Sequence, residues 1–157
     1  MIAAAKPHAD LNQQGFTLLE LLVVLGILAL GLALVVPSIS GARAGLTVRA
    51  AAYQLAGSLR EARAAAQAGN VERVLVLDTA QRHYWAEGVG ALRQLPHAVG
   101  VELVVPESER IGAAGGRVRF LPDGVSSGAR IVLSDGRATA VVSVDWLSGD
   151  VRVQLRR

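Results

Sequence analysis

Glu20 is the one charged residue in Phe16–Val36, a run of about 21 residues reading FTLLELLVVLGILALGLALVV. A carboxylate inside an apolar helix costs about 2.5–3.5 kcal/mol on insertion scales and persists where a cation meets it. Position alone leaves two accounts open: a partner cation, or hydration near a helix start, where the positive end of the helix dipole favours an anion. The other residue types that could do chemistry do not converge. His8, His83 and His97 lack metal-ligand spacing, so no metal is expected. Ser126 and Ser127 lie in a Gly-bounded loop without a nucleophile-elbow pattern and read as turn residues. Asp123, Asp135, Asp145 and Asp150 fall in or beside turns, where side-chain bonding to the backbone accounts for them without acid catalysis. With no cysteine in the chain, thiolate metal sites, disulfides and Cys nucleophiles are all removed. No catalytic residue and no cofactor are expected, and the chain reads as structural, not enzymatic.

The elements that carry these residues divide at about position 70. A chain of 157 residues has room for one modest domain plus a long appended element. Its composition is 52% hydrophobic but only 4% aromatic, which concentrates the apolar content in Ala, Val and Leu segments. About 20 apolar helical residues cross a hydrocarbon core of about 30 Å, so Phe16–Val36 reads as a membrane-spanning helix. A secretory signal peptide fits less well, because its apolar region is about 7–15 residues long behind a positive segment, and here Lys6 is opposed by Asp10. Pro37 lacks a backbone N–H and should end or kink the helix there. Beyond it, Val48, Ala52, Leu55, Leu59, Ala62 and Ala66 recur at spacings of four and three, one helical face, and Gly69-Asn70 supplies the expected left-handed stop.

After Asn70 the period shortens to near two. Strands are expected at 73–78, 82–87, 99–105, 117–121, 129–133, 138–146 and 151–155, with Asp123-Gly124, Asp135-Gly136 and Ser148-Gly149 as turns. The domain therefore reads as antiparallel β. Trp85 and Trp146 each sit in an alternating pattern and read as core or sheet-packing residues. Residues 71–157 hold eleven arginines against ten carboxylates, so this part is near neutral and gives no electrostatic footprint for nucleic acid.

Gly15-Phe16-Thr17-Leu18-Leu19-Glu20, the apolar run and Pro37 together resemble the class III signal of type IV prepilins and pseudopilins. The resemblance implies cleavage by a prepilin peptidase after Gly15, N-methylation of Phe16, and pairing of Glu20 with the free amine of a neighbouring subunit during assembly. It also implies a bend or melting point at Pro37. Two features depart from the pattern: the leader has no net charge, and Arg43 and Arg49 beyond the apolar run would, by a positive-inside count, put the C-terminal domain in the cytoplasm. The resemblance overrides that count. At the other end, the stretches 118–131 and 144–153 resemble the C-terminal signature of H-type minor pseudopilins of type II secretion.

The fold class implied is α+β and pilin-like: a leader at 1–15, a long helix at 16–69 whose first half is transmembrane, and an antiparallel β-sandwich-like domain at 70–157. The implied role is a subunit of the pseudopilus tip complex that assists export of folded proteins across the outer membrane. Its partners would be other minor and major pseudopilins, the prepilin peptidase, the inner membrane and secreted proteins, with the C-terminal domain in the periplasm. The alternative is a minor type IV pilin that primes pilus assembly or captures DNA through Arg152, Arg156 and Arg157.

Overall fold

The computed structural model describes residues 17–156, with side chains at all of these but 32–45 and 89. Among the described residues one α-helix, α1 (Leu18–Gly69), precedes nine strands, β1 (Arg73–Asp78), β2 (His83–Ala86), β3 (Val89–Gln94), β4 (Gly100–Val104), β5 (Arg110–Ile111), β6 (Gly115–Phe120), β7 (Ala129–Ser134), β8 (Thr139–Val144) and β9 (Val151–Arg156), with a 3-10 turn at Glu107–Glu109 before β5. All pairings are antiparallel. The strands form a five-stranded sheet in the order β3-β2-β1-β6-β5 and a four-stranded sheet in the order β4-β7-β8-β9. The chain divides into two compact units, Met1–Ser38 and Ile39–Arg157.

In the second unit, α1 and both sheets share one core. Val48, Ala52, Leu55, Leu59, Ala62 and Ala66 are all buried, as their spacing requires. Leu75, Leu77, Tyr84, Val118 and Phe120 from one sheet, with Ile131, Leu133, Ala140 and Val142 from the other, complete it. Small residues on the buried stripe let α1 lie close to the strands. This is why the division between units falls inside α1, at Ser38, and not at Gly69-Asn70: the second half of the helix is part of the β domain's core.

The end of α1 is a Schellman motif. Asn70 takes φ 47°, its N–H reaches the Gln67 carbonyl, and the Val71 N–H reaches the Ala66 carbonyl at 3.2 Å. Helix geometry persists across Pro37, so that residue does not end the helix. Among the described residues no helix is long and apolar enough to cross a membrane; the expected span Phe16–Val36 runs past the described side chains at both ends.

Two expectations need correction. Strands β3 and β5 were not anticipated: β3 is glycine-interrupted and its described residues are solvent-exposed, and β5 spans two residues, so neither carries an alternating signal. Trp146 is not a core residue. Strand β8 stops at Val144, and Trp146 lies in the following loop, 64% exposed. Trp85 is half-buried and rests against His83, ring centroids 5.4 Å apart.

Candidate functional site

The first turn of α1 is built by Thr17. Its hydroxyl accepts the Glu20 backbone N–H at 3.2 Å, and its carbonyl accepts the Leu21 N–H at 3.2 Å. Thr17 is thus the N-cap and Glu20 the third helical residue, the arrangement that the Thr-x-x-Glu spacing encodes and that hydropathy alone does not reveal. Of the two accounts of Glu20, the structure establishes its place in the first turn, where the helix dipole favours a carboxylate. Among the described residues no cation pairs with it.

Around Glu20 the helix is apolar on every side. Leu18, Leu19, Ile27 and Leu30 are 66–77% exposed, and Leu21, Leu22 and Leu25 more than half exposed. A helix that is hydrophobic all round needs lipid or other chains to cover it. Gly15 and Phe16, the expected processing and methylation positions, lie outside the described residues, as does His8.

The β domain places its polar residues in turns. Asp145 Oδ1 accepts the Leu147 N–H, the Ser148 N–H and the Ser148 hydroxyl at 2.9–3.0 Å, and Asp135 Oδ1 accepts the N–H groups of Arg137 and Ala138. These bonds hold both carboxyls below the usual carboxylate range, led by the Ser148 N–H in one case and the Ala138 N–H in the other. Asp123 accepts the Val125 N–H. The Ser126 hydroxyl donates to the Arg119 carbonyl and accepts the Gly128 N–H, and the Ser127 hydroxyl accepts the Arg119 N–H. Each is spent on turn geometry. Among the described residues no group of His, Asp and Glu could hold a metal ion.

Two arrangements were missed by sequence reasoning. Glu109, buried, is bound by Arg119 at 3.0 Å and lies 3.5 Å from Arg117, while Arg119 also reaches Glu72 at 2.6 Å. The Glu109 hydrogen bond is the main cause raising the Arg119 pKa. This network pins the turn at Glu107–Glu109 to β6 and the start of β1. Arg60 and Arg63 of α1 donate to the carbonyls of Val151 and Ser148 at 2.6 and 2.7 Å, clamping the loop before β9. Only a register placing α1 beside that loop exposes this role, and strand and helix periods do not supply it.

The residues considered for DNA capture lie at the last strand. Arg152 pairs with Asp150 at 2.9 Å, Arg156 is exposed at the end of β9, and Arg157 lies outside the described residues.

A helix capped at Thr17, apolar through its first unit and packed through its second on antiparallel sheets, defines a pilin-like subunit. Residues 10–36 match the prokaryotic N-terminal methylation motif, and residues 51–149 match type II transport protein GspH. The type II secretion system protein H of Xanthomonas campestris is 32% identical over 148 residues, covering 94% of this chain and 87% of that protein. The chain belongs to the GspH family of minor pseudopilins of type II secretion. The fold is shared with the minor pseudopilin EpsH from the type 2 secretion system of Vibrio cholerae: TM-score 0.55, 10% identity, over 68% of this chain and 95% of that one. It is also shared with the type IV minor pilin FimU of Pseudomonas aeruginosa: TM-score 0.50, 15% identity, 70% and 88% covered. The reading as a DNA-capturing type IV pilin is not favoured.

Proposed function

We propose that the chain is a structural, non-enzymatic subunit of the pseudopilus tip complex, which helps initiate the filament and assists export of folded proteins across the outer membrane. The observation that carries this reading is Glu20, a carboxylate in the first turn of a helix whose apolar side chains from Leu18 to Leu30 are exposed all round. Prepilin peptidase cuts after Gly15, and Phe16 becomes the N-methylated first residue. The helix then holds the chain in the inner membrane as a single pass, with the β domain in the periplasm. On transfer into the filament, Glu20 receives the N-terminal amine of a neighbouring subunit, an ion pair whose energy in a low dielectric sets subunit register. Pro37 removes one rung of the helical ladder and eases bending or melting at that point. Other minor and major pseudopilins are the partners, and secreted proteins are engaged at the tip.

The test is co-purification of the full chain from detergent-solubilised membranes, together with N-terminal sequencing. The expected result is other pseudopilins in the eluate and a mature chain starting at methylated Phe16. A chain starting at Met1 that co-purifies with no pseudopilin contradicts the proposal.

A further inference from the structure

The loop between β8 and β9 displays two large apolar side chains on a rigid frame. Trp146 and Leu147 are each 64% exposed. Their backbone is fixed by the three donors on Asp145 Oδ1, by the Gly149 N–H on the Asp145 carbonyl at 2.8 Å, and by the Ser126 N–H on the Trp146 carbonyl at 2.9 Å. Arg63 and Arg60 hold it from α1. Gly149, at φ 64°, leaves no room for a Cβ, which would collide with the Gly124 carbonyl, so the loop lies directly on the backbone of its neighbour there. Such a frame presents an exposed tryptophan with little left to order on binding, the property of an interface anchor.

Charge and area identify the occupant. Asp123, Asp145 and Asp150 alternate with Arg60, Arg63 and Arg152 around the loop, so a polyanion meets charge of both signs there. Trp146 and Leu147 together offer roughly 300 Å², against about 800 Å² per partner for a contact that holds by itself. The loop can therefore contribute only where association is already secured elsewhere, as it is for subunits gathered through their apolar helices, where effective concentration makes a small contact count. We infer that Trp146, with Leu147 beside it, is an anchor that enters an apolar pocket on a neighbouring subunit of a different kind in the same filament, and that Arg63 is its positioning residue. This rests on the assembly reading above.

The test places benzoylphenylalanine at Leu147 or at Leu22 in the full chain, in cells carrying the secretion system, and identifies photo-adducts. Adducts to another subunit are expected from both positions. Adding Trp146→Ala should lower the Leu147 yield roughly 10- to 30-fold, a hot-spot loss, while Trp146→Phe retains much of it and the Leu22 yield is unchanged. Arg63→Ala should lower the Leu147 yield and leave Leu22 unaffected. Adducts at Leu22 with none at Leu147, or Leu147 adducts to lipid, to an exported protein or only to a second copy of this chain, overturn the inference and leave the assembly reading standing. A Leu147 yield indifferent to Trp146→Ala overturns it too. Adducts at neither position overturn the assembly reading and the inference together.

Discussion

Arg63, in the second half of α1, donates to the carbonyl of Ser148, 85 positions further along the chain, at 2.7 Å. One guanidinium thereby ties the second half of α1 to the loop that displays Trp146 and Leu147. Arg60, one turn earlier, does the same for Val151. Both bonds are charge-assisted, and both satisfy carbonyls beside the start of β9.

Replacing Arg63 by alanine should cost about 1–2 kcal/mol, the worth of a hydrogen bond from a charged donor discounted for its exposure. Urea unfolding of the detergent-solubilised chain checks this. Arg63→Lys should recover only part of it, because a point charge cannot repeat the planar fork.

Gly149 and Gly136 both have positive φ, 64° and 82°, but only Gly149 is packed against backbone. Gly136→Ala should cost about 1–2 kcal/mol, the left-handed penalty alone. Gly149→Ala should cost clearly more, because the Gly124 carbonyl must also move. Equal unfolding midpoints for the two variants would show that the loop yields freely.

Leu55 and Leu59 are fully buried on the stripe that faces both sheets. Either one changed to alanine should lose about 2–5 kcal/mol, transfer and cavity terms together. Tyr53, on the exposed side of the same helix, should tolerate alanine within about 0.5 kcal/mol.

Asp145 and Asp135 have folded-state pKa values below those of the unfolded chain. A depressed carboxyl contributes stability that is present above its unfolded pKa and is lost as pH falls through the folded one. Thermal midpoints should therefore hold steady near neutral pH and fall in the acid range below the usual Asp pKa. Asp145→Asn should flatten part of that acid slope. A wild-type profile that rises on acidification would contradict the hydrogen bonds assigned to these turns.

The helix was legible because Val48, Ala52, Leu55, Leu59, Ala62 and Ala66 keep one period and Gly69-Asn70 closes it. Strands with buried, alternating residues, such as β1 and β7, were legible for the same reason. Trp146 was misread because Ala138-to-Trp146 continues the alternation of β8 in sequence, while the Asp145 turn ends the strand in space. The Glu109 network and the Arg60 and Arg63 clamps were invisible, since each joins groups brought together only by sheet register and by the packing of α1. Thr17 could have been found, because it stands three residues before a glutamate at the edge of an apolar run.

We propose that Glu20 serves assembly. The most direct measurement compares wild type with Glu20→Ala for membrane fractionation, co-purification with partner pseudopilins and secretion in the same cells. The variant should be inserted and folded as wild type, since Glu20 belongs to the compact unit that precedes the β domain's, but should fail to co-purify and should secrete poorly. Normal co-purification and normal secretion by Glu20→Ala would contradict it.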